Sequence, residues 1–232
     1  MKGRLLVLVF ALLVLPRVAA AQDWADYDYT NLQFRGIGVE FGGLWPTDMR
    51  STASFGVRAD MGYVGPHVRI EPAIRYWSSR LDPSEVAHLA DQIVQICRKQ
   101  ATATCPSSLD LGEVHRSDLE LAADAHYLFG APGTVTPYAG GGLSLHLLNG
   151  RGELINGTFI EDLLDTLAPG VDVLGGLNVP LGSDLQIQSE LRLALTTDVQ
   201  TANILIGAVW TFPRPPAASA PASPASFRAG RR

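Results

Sequence analysis

The feature that most constrains this chain is an alternation of apolar and polar residues that recurs eight times after residue 32. Because side chains on a strand point alternately to its two faces, each such segment predicts a strand with one apolar and one polar face. Glycine, proline, aspartate and asparagine separate the segments, as expected of turns and loops. The predicted strands cover residues 33–45, 52–64, 67–81, 111–129, 134–148, 170–181, 184–196 and 201–212.

The connections between these strands alternate in length. The tight turns are Gly65-Pro66, Gly130-Ala131-Pro132-Gly133 and Gly182-Ser183, and the other connections are 46–51, 82–110, 149–169 and the shorter 197–200. Short turns at one end and longer loops at the other are typical of an up-and-down transmembrane barrel. The sequence therefore predicts an all-β fold, an eight-stranded antiparallel barrel within residues 22–212.

Two of the longer loops carry helical patterns. In the first, Asp82 is a candidate N-cap, Pro83 suits the first helical position, and Glu85 completes a capping-box-like start. In the second, Thr158 and Glu161 form another capping box. The apolar residues that follow at helical spacing are Val86, Leu89, Ile93 and Ile96 in the first, and Phe159, Ile160, Leu163, Leu164 and Leu167 in the second. We expect each stripe to pack onto the barrel mouth or a neighbouring loop; a docking surface for lipid or a partner is the alternative.

The two ends of the chain differ from the barrel segment. Lys2 and Arg4 precede an apolar run over residues 5–15, and Ala19-Ala20-Ala21 is a small-residue cleavage site. This pattern predicts a signal peptide over residues 1–21 that is cleaved after Ala21. A retained anchor is less well supported, because the run is shorter than the roughly 20 residues that a spanning helix needs. Residues 213–232 are rich in proline, alanine, serine and arginine, so we predict a disordered tail.

Cysteine usage and charge narrow the possible partners. Cys97 and Cys105 are the two cysteines, and in an exported protein such a close pair predicts a disulfide rather than a zinc site. Residues 22–212 contain all 23 acidic residues but 11 of the 18 basic ones. Because phosphate binding needs clustered basic residues, this acidic segment argues against nucleic acid as a partner.

The alternation does not by itself say which face lies inside, and a soluble lipocalin-like barrel would bury the apolar one. Three observations favour a polar interior with lipid outside. The polar face carries many glycines, which a narrow bore requires, and it has arginine but no lysine. Aromatic residues lie near strand ends on the apolar face, as in an interfacial girdle: Trp45, Tyr63, Tyr76, Tyr127, Trp210 and Phe212.

A polar interior would bring many charges together. The acidic residues assigned to it are Glu40, Asp60, Glu71, Asp118, Glu120, Asp124 and Glu190, and the basic ones are Arg58, Arg69, Arg75 and Arg192. Across the Gly65-Pro66 turn, Arg58 comes within diagonal reach of Glu71, and Asp60 within reach of Arg69. We expect these charges to pair, because unpaired charges in a closed bore are costly.

Ser144, His146 and Asp118 include the residue types of a nucleophile, a base and an acid. Counting across residues 130–133 places His146 opposite Asp118 and Ser144 opposite Glu120. Ser144 and His146 are two residues apart on one face, roughly 7 Å, which exceeds hydrogen-bond reach. Since all three face the bore, we interpret them as an interior polar network. We predict no catalytic, cofactor-binding or metal-binding residues.

Two further patterns do not predict sites. The histidines at 67, 88 and 115 are scattered without metal-ligand spacing. Gly140-Gly141-Gly142 lies within a strand and precedes no helix, so it does not predict a phosphate-binding loop.

Three segments carry a family resemblance: Gly36-Ile37-Gly38-Val39-Glu40-Phe41-Gly42-Gly43, Thr136-Pro137-Tyr138-Ala139-Gly140-Gly141-Gly142-Leu143 and Val209-Trp210-Thr211-Phe212. With the export signal, they make residues 30–212 resemble the small eight-stranded outer-membrane β-barrel family, similar to the membrane domain of outer-membrane protein A. The resemblance implies location in a bacterial outer membrane, outer-membrane lipid around the barrel, and insertion by the barrel assembly machinery, with Phe212 as the assembly signal. It implies a fold and a location rather than one activity.

On these grounds we expect a monomeric, non-enzymatic outer-membrane protein with a structural or surface-contact role. Three alternatives remain open: a small pore or transporter for small or apolar molecules, a lipid A-modifying barrel enzyme, and the soluble lipocalin-like carrier.

Overall fold

Each of the eight alternating segments forms a strand in the computed structural model, which describes residues 31–99, 106–130, 134–154, 156–157 and 164–212. Each strand pairs with its sequence neighbours, and β1 pairs with β8, so the sheet closes into an antiparallel up-and-down barrel. The strands are β1 Leu32–Pro46, β2 Thr52–Val64, β3 Val68–Arg80, β4 Val114–Leu128, β5 Thr136–Gly152, β6 Thr166–Pro180, β7 Leu185–Thr196 and β8 Gln200–Thr211. The predicted fold class is confirmed.

The two ends of the barrel differ as the loop lengths predict. The connections 65–67, 129–135 and 181–184 lie at one end, here named the turn end, together with the start of β1 and the end of β8. The other end, named the loop end, carries connections 47–51, 81–113, 153–165 and 197–199. The predicted loop 149–169 is too long, because β5 continues to Gly152 and β6 begins at Thr166. Gly150 therefore belongs to a strand rather than a loop, and it makes room inside the barrel for the side chain of Leu164.

The helix predicted in the longest loop is present as α1, Pro83–Lys99. Its buried residues Ala90 and Ile93 pack against Leu111, Val114 and Leu164, so this stripe covers the barrel mouth as expected. Ile96 does not join this contact and is half exposed. No helix among the described residues is both long and apolar enough to cross a membrane.

Several predictions fall wholly or partly outside the described residues. These are the signal peptide, the tail 213–232, Cys105 of the predicted disulfide, and most of the second loop helix, residues 158–163. The prediction is wrong for Leu167, which belongs to β6 rather than to that helix and lies on the outer face of the barrel.

The apolar face of the sheet points outward. Phe41 and Leu143, near the middle of their strands, have 67% and 69% of their surface exposed. Aromatic residues occupy this outer face toward the strand ends: Trp45 and Tyr76 near the loop end, and Phe34, Phe129, Trp210 and Phe212 near the turn end. Because so much apolar surface faces outward on every strand, the outside of the barrel suits lipid rather than water.

Candidate functional site

The bore of the barrel is filled by buried charged side chains. The buried acidic residues among those described are Glu40, Asp60, Glu71, Asp118, Glu120, Asp124, Asp172 and Glu190, and the buried arginines are Arg58, Arg69, Arg75 and Arg192. On each of the strands that contribute them, they occupy the face opposite the exposed apolar residues. The interior assignment made from the sequence is therefore correct for every charge that it named.

Arginines bridge these carboxylates across the bore. Arg58 contacts Glu40, and its Nη1 lies 3.0 Å from Glu71 and 3.3 Å from Glu190. Arg75 binds the other oxygen of Glu40 at 2.5 Å. Since Glu40 is on β1, Glu71 on β3 and Glu190 on β7, these contacts link opposite walls of the barrel.

Arg192 is the centre of a second group of contacts. Its guanidinium lies 2.9 Å from Asp172 and 3.1 Å from Glu190, and it also contacts Asp124. Arg75 reaches the same Asp124 at 3.4 Å, so the two groups join. Sequence patterning did not assign Asp172 to the interior, although it alternates with Val171 and Val173 on β6.

One of the two predicted cross-turn pairs forms. Arg58 pairs with Glu71 as expected, but Asp60 makes no ion pair with Arg69. Arg69 lies 2.9 Å from Glu71 instead, and Asp60 accepts a hydrogen bond from the backbone of Gly62 at 2.7 Å. The β2–β3 register shifts after Arg58, which moves this end of β2 out of the simple diagonal geometry.

Buried apolar layers lie toward both ends of the charged bore. Toward the loop end, a buried cluster crosses the barrel and comprises Leu44, Met49, Trp77, Leu148, Ala168 and Val199. Toward the turn end, a smaller cluster comprises Leu128, Tyr138 and Leu174. Helix α1 and its contacts with Leu111 and Val114 lie above the first layer. The charged network therefore lies largely between two apolar clusters, and at the turn end Tyr138 also joins it by donating a hydrogen bond to Glu190 at 2.9 Å.

Ser144, His146 and Asp118 do form a connected set, contrary to the distance expected from the sequence. His146 Nδ1 lies 2.7 Å from Asp118, and His146 Nε2 lies 3.0 Å from Ser144 Oγ. The predicted register is wrong by two residues, since Asp118 pairs with Leu148 and Ser144 pairs with Ala122. The contacts form because Gly170 lies opposite Ser144 and leaves space that both side chains occupy.

The surroundings of this set tie it to the barrel wall. Ser144 Oγ lies between His146 Nε2 at 3.0 Å and a second carboxylate, that of Asp172, at 3.2 Å. Its backbone lies in a strand paired on both sides, so the neighbouring N–H groups serve the barrel and not an oxyanion hole. Asp118 also accepts a hydrogen bond from Trp77, which belongs to the apolar layer above. The set connects that layer to the charged network.

The loop end contains a shallow cavity of about 200 Å³ between α1 and the barrel rim. Asp48, Glu85, His88 and Arg116 contribute polar groups to its wall, and the apolar layer of the bore forms part of its floor. Within the part of the chain that the structure describes, no group of three or more His, Cys, Asp or Glu side chains could hold a metal ion.

No protein-family model matches the sequence, and no curated protein matches it. Solved structures do. Neisserial surface protein A is similar over 77% of this chain and 97% of its own, with 15% identity and a TM-score of 0.50. The fold is that of the small eight-stranded outer-membrane barrels. The N-terminal barrel domain of OprF from Pseudomonas aeruginosa matches 76% of this chain and 97% of its own, with 15% identity and a TM-score of 0.43. A major outer-membrane protein from Thermus thermophilus matches 77% and 99%, with 13% identity and a TM-score of 0.45.

Proposed function

We propose that this protein is a monomeric, non-enzymatic integral protein of a bacterial outer membrane. Its barrel is a closed scaffold, and its loop end provides a surface for contacts outside the membrane. The observation that carries this proposal is the inverted distribution of residues: exposed apolar side chains outside, and a buried network of arginines and carboxylates inside. A water-soluble barrel has the opposite arrangement, so the soluble carrier is disfavoured.

The proposed location agrees with the predicted export signal and with the two unlike ends of the barrel. An export signal would carry the protein to the periplasm, where the barrel assembly machinery would insert it into lipid. Once inserted, the short turns would lie in the periplasm and the longer loops, with α1, would face the exterior. Nucleic acid is not a proposed partner.

Membrane fractionation of the expressed precursor tests the location. We expect the protein in the outer-membrane fraction, with a faster gel mobility before boiling than after, because a closed barrel resists detergent unfolding. The expected N-terminus of the mature protein is Gln22, measurable by mass spectrometry. Recovery in the soluble periplasmic fraction with no mobility shift would contradict the proposal.

Single-channel recording tests the closed bore. We expect no conductance steps from the purified protein in a planar bilayer, because Arg58, Arg75 and Arg192 bridge the walls between two apolar layers. A variant in which a short Gly-Ser linker replaces α1 should also remain closed, since the network lies below the helix. Regular conductance steps from the unaltered protein would instead favour the pore.

The enzyme alternative has the hydrogen-bonded Ser144, His146 and Asp118 in its favour. However, these side chains are buried beneath the apolar layer that contains Trp77 and Leu148, so an acyl chain in the membrane has no path to Ser144. We therefore interpret the set as structural.

A further inference from the structure

Three basic residues stand side by side on the outer wall of the barrel at the loop end. Arg80 pairs with His115 across β3 and β4, and His115 pairs with Arg151 across β4 and β5. Each shares the outward face of its strand with the exposed apolar residues, because its position differs from theirs by an even number. These three residues, Arg80, His115 and Arg151, are named the basic row.

Toward the loop end, successive cross-strand rows on the outer wall change from apolar to polar to charged, and the basic row is the last of them. Tyr76, Leu119 and Leu147 form one cross-strand row of exposed apolar side chains. The next outward row toward the loop end is polar and comprises Ser78, Ser117 and Asn149. The basic row follows, about 13 Å along the strands from the apolar row at roughly 3.3 Å per residue. With strands tilted by roughly 35–45°, this separation is about 9–11 Å along the membrane normal, which suits lipid headgroups above the apolar row.

Arg50 extends the row onto the neighbouring connection. Its backbone N–H donates to the carbonyl of Arg80 at 3.0 Å, and both arginines line a cavity of about 160 Å³. The described residues of the connections 153–165 and 197–199 contribute no arginine or lysine, and Asp165 lies beside the row, where it accepts a hydrogen bond from Asn149 Nδ2 at 2.9 Å. Together with Arg50 the row therefore gathers three arginines at the loop ends of β2 to β5, with a carboxylate at its β6 edge.

The groups that face the row leave it available to an anion. Glu113 binds Arg80 Nη1 at 2.9 Å and lies 3.9 Å from His115, but the Glu113 side chain is 70% exposed. Such a surface ion pair contributes little and is readily exchanged for another anion. Arg80 Nη2 makes no hydrogen bond with the described residues. Asn149 accepts from Arg151 Nε at 2.9 Å, which positions that guanidinium beside the wall.

We propose that the basic row binds phosphate groups of the lipids in the leaflet at the loop end. This inference rests on the proposed membrane location. Arginine suits this role because its planar guanidinium donates two parallel hydrogen bonds to phosphate and keeps its charge. Arginines at a membrane surface each strengthen association with anionic lipid about fivefold. A lipid that contacts Arg80 and Arg151 together would therefore be retained preferentially on this side of the barrel.

Native mass spectrometry of the refolded full-length protein tests the proposal. The probes are diphosphorylated lipid A and the same lipid A after enzymatic removal of both phosphates. We expect the unaltered protein to retain the phosphorylated lipid in clear preference to the dephosphorylated one. The double variant Arg80→Gln with Arg151→Gln should lower that preference about 25-fold, roughly fivefold for each arginine. The matched control is Arg35→Gln, which removes an arginine near the turn end that lies over the ring of Tyr63.

The outcomes separate the lipid site from the membrane proposal. An unchanged preference in the double variant, or an equal loss in Arg35→Gln, would overturn the lipid site. Displacement of the lipid by millimolar inorganic phosphate would show a site for the free anion and would overturn the lipid assignment. If the double variant keeps its heat-dependent gel mobility, the barrel is intact and the change belongs to the row. If the unaltered protein shows neither that mobility shift nor any bound lipid, the result contradicts the proposed membrane location, on which the lipid site rests.

Discussion

Replacing Arg192 with methionine is expected to lower the free energy of unfolding by about 3–5 kcal/mol. Arg192 is fully buried and contacts Asp124, Asp172 and Glu190. Methionine fills similar space but leaves these carboxylates enclosed without their cation. These buried carboxylates would then have neither water nor a cation around them. The substitution therefore raises the free energy of the folded barrel more than that of the unfolded chain. Urea unfolding in detergent micelles, followed by tryptophan fluorescence, measures the change.

The matched control is Arg80→Met, which also removes an arginine from an ion pair. Arg80 and Glu113 have side chains 48% and 70% exposed, so this change should cost less than about 1 kcal/mol. A double variant, Arg192→Met with Asp124→Asn, should recover part of the first loss, because one of the stranded carboxylates is then neutral. Equal small losses at Arg192 and Arg80 would show that the bore network is dispensable.

The strands and most of their faces could be predicted because both follow from a period of two. The prediction is wrong for Tyr63, which packs against the interior cluster of Leu128, Tyr138 and Leu174 because the β2–β3 register shifts after Arg58. A register error of two residues leaves every side chain on its own face. This is why the interior charges were identified although the β4–β5 register was wrong. Leu128, the last residue of β4, pairs with Tyr138 rather than with Thr136, the first residue of β5, and this places Asp118 opposite Leu148 instead of His146. Sequence patterning does not fix the length of such a turn.

The contacts among Ser144, His146 and Asp118 could not be predicted for a different reason. Spacing along one strand gives the separation of backbone positions, but the approach of two side chains depends on what lies beside them. Here Gly170, on the neighbouring strand, leaves room for the imidazole and the hydroxyl to converge. A glycine within a strand signals a close approach, but identifying what approaches requires the pairing of β5 with β6.

Replacing Leu143 with arginine is expected to destabilise the inserted barrel by about 2–4 kcal/mol. Leu143 lies near the middle of β5, on the outer face beside Ala123 and Val171. Its high exposure makes it a surface residue by geometry, and in a water-soluble protein an arginine there would be tolerated. In a membrane the same position faces hydrocarbon, so the guanidinium must be desolvated or drawn toward the interface. Unfolding in phospholipid vesicles measures the loss.

Leu154→Arg is the matched control, because Leu154 is 58% exposed but lies in the connection after β5 rather than in the apolar belt. Both substitutions replace a similarly exposed leucine with arginine. A difference between their free energies of unfolding therefore shows whether lipid or water surrounds each position. A loss at Leu143 with little change at Leu154 would place lipid around the middle of β5. Equal stability in both variants would mean that water surrounds the outer face, which would contradict the proposed membrane location.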